Sequence, residues 1–339
     1  MKWTSQAFAG LLVAVIFTVA ARAEVKVETV LTGLDNPCGV AVQPGTGHVF
    51  VSDSAAGRIV KFDPASPGKV TPVIVDFPLS TYGKGPIYKI GPLGLAFADK
   101  NTLVVGGGGQ ADGAELLRVY DLSKGGTLKA SAMKHSIGPI KPKEGVTIKG
   151  EGNFYGVAIV DGVIYITCNG DDTKGWVSTA NLGDKKPVLK PTIATKEATE
   201  VDAPVGIAID PKKKFVVVGQ MGEISKPKDG LLTFYNVKNG KMTMNLETGL
   251  YDIASLAYSP TGRLYAADFA WMAPAAAGVY RLDSTGDKKS VKSAIISKLD
   301  KPSALAFGKD GALYVTVFGT AKKGSKKKPG SLVKITGKL

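Results

Sequence analysis

An all-β fold, a six-bladed β-propeller, is predicted by three observations. A short apolar motif recurs six times, each copy opens the same succession of strand-like segments, and the one segment missing at the end of the chain is found at its beginning. The composition agrees: runs of Val, Ile, Thr and Tyr are short, Gly and Pro punctuate them, and no long stretch carries the apolar period of a helix.

The motif is a small residue followed by an apolar-Ala-apolar stretch: CGVAV at Gly39, LGLAF at Gly94, YGVAI at Gly156, VGIAI at Gly206, ASLAY at Ser255 and SALAF at Ala304. Each predicts an innermost strand, small because blades crowd together at the axis. Second strands follow in HVFVSD, TLVVGG, VIYITC, KFVVVG, RLYAAD and ALYVTV. Third strands are RIVKFD, LLRVYD, GWVSTANL, LLTFYNV, GVYRLD and SLVKIT. More polar fourth strands are TPVIVDF, LKASAMKH, LKPTIATK, KMTMNLET and VKSAIIS. The sixth copy has none, because the chain ends at TGKL. VKVETVL, Val25 to Leu31, reads as a fourth strand with no unit before it, and is predicted to complete the last blade and protect its edge.

Residues 1–23 have a lysine near the start, an apolar run from Ala7 to Ala20 and an Ala21-Arg22-Ala23 ending. This pattern predicts an export signal cleaved after Ala23, since the apolar run is shorter than the ~20 residues of a membrane-spanning helix. One propeller domain, residues 24–339, and a monomer are expected, with the periplasm, the cell surface or the medium as destination. The net charge is +14, two of it in the leader. Most cations are lysines scattered on turns, a solvated surface; an anionic glycan is the polyanion that suits an exported protein. Nucleic acid is not expected, because no recognition motif accompanies the charge.

At the residues just given the chain resembles the NHL-repeat propellers and the superfamily of gluconolactonase-like, strictosidine-synthase-like and paraoxonase-like proteins. The segment from Pro37 to Asp63 carries the likeness best. It implies the propeller fold, and it implies a calcium or other divalent ion at the top of the central channel, held by acidic and Asn side chains from different blades. Oxygen ligands suit such a hard cation.

The top face is formed where the chain enters each innermost strand and leaves each second strand. The oxygen donors there that would serve a metal are Asp53, Glu151, Asn153, Asn169 and Asp268. Leu93, Val205, Ala254 and Val317 are apolar at equivalent positions, which counts against a full polar cage. Asp53 and Asp268, at strand ends, also suit turn capping. His48 and His135 are the only histidines, and neither is placed for triad chemistry.

The first two intervals between anchors are longer than the last three. The excess lies in PLSTYGKGPIYKIGP and SIGPIKPKEGVTIKGEG, neighbouring top-face loops. Long loops on a rigid scaffold carry binding, so Tyr82, Tyr88, Lys143, Glu151 and Tyr155 are predicted to wall a depression, with Trp271 and Met272 across the channel. GGGGQADG, at 106–113, lacks the Gly-Lys-Ser/Thr ending of a phosphate loop and reads as a flexible turn. Lys322, Lys323, Lys326, Lys327 and Lys328 crowd one loop, a solvated or anion-attracting edge.

Cys38 and Cys168 fall in the first and third blades. A disulfide needs Cα atoms within about 7 Å, so two buried free thiols are expected. The function expected first is a scaffold binding a small molecule, an anionic glycan or a protein partner across the top face. The alternative is a calcium-dependent lactonase- or esterase-type hydrolase.

Overall fold

A computed structural model describes residues 24–83, 85–171 and 173–339; the predicted export signal lies outside them. Six antiparallel sheets are arranged in a ring. Blade 1 runs outward through Pro37–Val42, Val49–Asp53, Arg58–Phe62 and Val70–Val75. Blade 2 is Pro92–Phe97, Thr102–Gly107, Leu117–Asp121 and His135–Ile137; blade 3 is Phe154–Val160, Val163–Cys168, Trp176–Asn181 and Lys190–Ala194. Blade 4 is Pro204–Ile209, Phe215–Gln220, Leu231–Asn236 and Met242–Glu247; blade 5 is Ile253–Tyr258, Leu264–Asp268, Gly278–Ser284 and Val291–Lys298. Blade 6 has Pro302–Phe307, Leu313–Val317 and Gly330–Thr336, and its outer strand is Lys26–Leu34 from the other end of the chain. The innermost strands touch in order round the axis, and the first touches the sixth.

The core follows from this geometry. Both faces of each sheet are covered by a neighbouring blade, so apolar residues alternate between two interfaces. Six clusters result, among them Phe50, Ile59, Leu103 and Tyr120 between blades 1 and 2, and Val40, Val60, Leu34 and Leu332 between blades 6 and 1.

Small anchor residues have a specific cause. A Cβ on Gly39 would lie 2.2 Å from the Leu93 carbonyl oxygen, and one on Gly94 would lie 1.8 Å from that of Tyr155. The innermost strands of blades 1, 2 and 3 thus press their anchors against the backbone of the next blade, Gly156 with a Cβ position 2.3 Å from the Val205 oxygen. Ser52 Oγ donates to the same Leu93 oxygen, and Thr167 Oγ1 donates to Val205 O at 3.0 Å between blades 3 and 4.

Two expectations are corrected. The segment LKASAMKH is not one outer strand: Leu128–Lys129 crosses to blade 1 and pairs in parallel with Ile74 and Val75, because Leu128 and Ala130 pack into the apolar seam between the two blades. The outer strand of blade 2 begins only at His135, which faces Val119. Nor is the 106–113 segment a loose turn. Gly106 and Gly107 belong to the second strand, and a Cβ on Gly109 would lie 1.9 Å from the Pro78 oxygen.

Candidate functional site

In every blade the first two strands fall out of step at one point. Pro37 faces Asp53 and Gly39 faces Ser52, which leaves Cys38 unpaired. The same slip recurs in the other five blades, at Leu93, Tyr155, Val205, Ala254 and Ser303. A bulge bends its strand and re-aims the extra side chain. All of these residues but Ser303 line a pocket at the mouth of the channel.

A second tier comes from the residue just after each second strand: Asn169, Met221, Phe269 and Phe318 all line the pocket. Blades 1 and 2 have Ser54 and Gly108 there instead. Gly91 N donates to Ser54 Oγ at 2.8 Å and Gly108 N donates to Gly91 O at 2.9 Å, so these small residues admit the long loop between the two blades. That loop folds as a hairpin, Ser80–Tyr82 against Tyr88–Ile90, with Tyr82 opposite Tyr88.

Tyr82 reaches Trp271 of blade 5, 6.1 Å between centroids, and Tyr88 reaches the rings of both blades 5 and 6. Tyr88 lies 5.1 Å from Trp271 and 5.3 Å from Phe318 between ring centroids, and Phe269 lies 5.1 Å from Trp271 and 5.2 Å from Phe318. Most of these contacts are edge-to-face, the favoured aromatic arrangement. The floor is Tyr155, whose hydroxyl donates to Ser303 O at 3.2 Å. It crosses from blade 3 to blade 6, the opposite side of the ring, and separates the pocket from the backbone-lined channel beneath.

Between these walls lie ≈ 520 Å³ of space, partly open to solvent. The slot is narrow and almost wholly apolar. Its polar atoms are few: Asn169 Nδ2 donates to Tyr82 Oη at 2.8 Å, and Asn153 Nδ2 donates to Asn169 O at 3.2 Å. The indole N–H of Trp271 is buried and has no hydrogen-bond partner among the described residues.

The carboxylates support this chamber from behind. Asp268 accepts from Asp252 N at 2.8 Å, from Tyr251 N at 3.0 Å and from Ala270 N at 3.2 Å, while Asp252 accepts from Trp271 N. Burial pushes Asp252 up to about 7, with Asp268 and Asp229 adding to the rise. Asp53 holds the equivalent loop of blade 1, accepting from Asp35 N at 2.6 Å and from Arg58 Nε at 2.7 Å. Glu151 is fully buried with neither carboxylate oxygen hydrogen-bonded among the described residues. Burial pushes it to about 7, and the nearby Thr147 hydroxyl and Asp171 backbone offset only part of the rise.

Of the residues singled out for metal binding, Asn153 and Asn169 line the pocket; Asp53, Glu151 and Asp268 do not. Among the described residues no group of three or more His, Cys, Asp or Glu side chains is placed to hold a metal ion. A pocket offering two amides and three phenols in an apolar wall, with no carboxylate among the described lining residues, does not fit a calcium ion, which takes six to eight oxygens. The physical reason is that two of the carboxylates are consumed in holding loops. Of the residues singled out for a ligand, Tyr82, Tyr88, Tyr155 and Trp271 meet in the lining, whereas Lys143 is exposed on the loop entering blade 3. Neither histidine reaches the pocket.

Phe269, Phe318, Met221 and Ile90 were not singled out from sequence. Three of them share one repeat position, the residue after the second strand, and that position was the available signal. In blade 4 it was obscured because the strand runs to Gln220, one residue beyond the repeat alignment.

Both cysteines are free and buried. Cys38 sits at the pocket mouth with its thiol pushed up to about 12 by burial.

Solved structures share this fold. A gluconolactonase from Xanthomonas campestris is 15% identical, with a TM-score of 0.61 over 95% of this chain and 93% of that one. A PQQ-bound aldose sugar dehydrogenase from Streptomyces coelicolor is 17% identical, with a TM-score of 0.60 over 93% and 99%. The soluble aldose sugar dehydrogenase from Escherichia coli, in its apo form, is 13% identical, with a TM-score of 0.60 over 93% and 100%. What these likenesses show is the fold, a six-bladed β-propeller, and at these identities nothing beyond it. No protein-family model and no curated protein matches the chain.

Proposed function

We propose that the protein binds a small, uncharged, largely apolar molecule carrying one hydrogen-bond acceptor, in the aromatic chamber at the mouth of its channel. The observation that carries this reading is the mostly apolar, aromatic lining to which Trp271 belongs, its buried indole N–H having no hydrogen-bond partner among the described residues. A buried donor without a partner costs about 1–3 kcal/mol. An acceptor on a bound molecule relieves that cost. A single ring or short acyl chain suits the narrow slot, and among the described residues no Lys or Arg side chain lines it to favour an anion.

Calorimetric titration with small aromatic ketones, esters and lactones tests this reading. Trp271→Phe keeps an aromatic ring and removes the N–H, and is expected to weaken binding roughly tenfold, the worth of one net hydrogen bond. Trp271→Ala is expected to weaken it further. Absence of binding by every neutral compound, with binding of charged oligosaccharides instead, overturns the reading.

The hydrolase alternative has one observation in its favour: Glu151, buried and held near neutrality, lies on the same loop as Asn153 of the pocket. Turnover of a bound lactone that Glu151→Gln abolishes without weakening binding would favour it.

A further inference from the structure

We infer that the top face docks on an anionic lipid surface. The three most exposed large apolar side chains among the described residues are Ile148 (75%), Ile87 (65%) and Met272 (64%), and all three stand on top-face loops. Ile87 precedes Tyr88 at the hairpin tip and Met272 follows Trp271, and the two rings lie 5.1 Å apart. These tips therefore flank one side of the pocket mouth. Ile148 sits on the loop entering blade 3, where Asp171 accepts from Thr147 Oγ1 at 3.0 Å, from Lys149 N at 3.0 Å and from Ile148 N. Its exposure is thus imposed by a stapled loop.

Cations accompany each tip. Lys141, Lys143 and Lys149 surround Ile148 in sequence, and Lys89 follows the hairpin tip; all are exposed. Phe318, in ring contact with Phe269, leads into the loop carrying Lys322, Lys323, Lys326, Lys327 and Lys328, all exposed. Among the described residues Lys328 alone of these five is spent on an ion pair, with Asp35 at 2.7 Å. Apolar tips gain from entering the headgroup and acyl boundary, and clustered lysines gain from anionic headgroups. A glycan would use the lysines and leave the apolar tips in water. The pairing of the two therefore selects lipid.

Sedimentation with phosphatidylcholine vesicles, with and without phosphatidylglycerol, tests the inference on residues 24–339. Binding is expected to the mixed vesicles alone, reduced by salt. The pair Ile87→Ser and Met272→Ser is expected to lower the partition coefficient roughly tenfold, and Lys322, Lys323, Lys326 and Lys327 replaced by Gln to lower it similarly. An unchanged melting temperature shows that the variants fold, and calorimetric titration with the small aromatic ketones, esters and lactones is independent of the outcome. Absence of sedimentation overturns the proposal. So does binding that the apolar substitutions leave intact, or an equally tight complex with soluble heparin, which marks a glycan site.

Discussion

At the scale of residues, two buried carboxyls give the protein an unusual response to pH. Glu151 and Asp252 are both raised to about 7, chiefly by burial. A raised folded-state value means that the native state holds its proton more tightly than the unfolded chain, whose carboxyls titrate near 4. Stability from these groups is present at low pH and is lost as pH rises from about 4 to about 7. The lowered carboxyls, such as Asp171 and Asp283, act in the other direction, and only below about 4. The melting temperature is therefore expected to fall between pH 5 and pH 8 in a thermal scan. Glu151→Gln and Asp252→Asn should each flatten that slope; an unchanged slope in both variants refutes the assignment.

The element that organises the molecule is the bulged innermost strand. Its bulge aims one side chain into the mouth of the channel, and its anchor residue lies against the next blade. Gly94→Ala places a Cβ where the Tyr155 oxygen already stands, 1.8 Å away, whereas at Gly206 the nearest atom is 3.1 Å away. Overpacking of this kind costs about 1–3 kcal/mol, sometimes more. Chemical denaturation should show Gly94→Ala destabilised by about 3 kcal/mol and Gly206→Ala by well under half of that. Equal losses would mean that contact with the neighbouring backbone does not set the anchor's size.

The strand pattern was legible at this scale because alternation and small-residue anchors are local properties. What sequence could not show is that blade 2 lends a short strand to blade 1. That exchange depends on how Leu128 and Ala130 pack in a seam formed by two blades.

At the scale of the whole molecule, the ring is held shut by Lys26–Leu34 on Gly330–Thr336. Leu34 is buried there, with Val30 and Leu31 packed beside it. At about 1.5–3 kcal/mol per apolar side chain fully buried, less for the two partly covered ones, removing residues 24–34 costs on the order of 5 kcal/mol. The melting temperature is expected to fall by roughly 5–10 °C. A truncated chain that melts with the intact one would show that the strand does not hold the ring.

The sequence by itself determined the six repeats, the order of strands and the strand that joins the two ends, since each rests on periodicity along the chain. It also marked Tyr82, Tyr88, Tyr155 and Trp271, through the long loops and the channel positions that hold them. Only the tertiary structure decided what these residues make together. Asp53 and Asp268 turned inward to hold loops, and Phe269, Phe318 and Met221 took the positions around the mouth. The result is an apolar chamber in which a sequence reading had weighed a metal cage. The physical reason is that a side chain's strand position is written locally, whereas its partners are chosen by blades far apart in sequence that meet only when the ring closes.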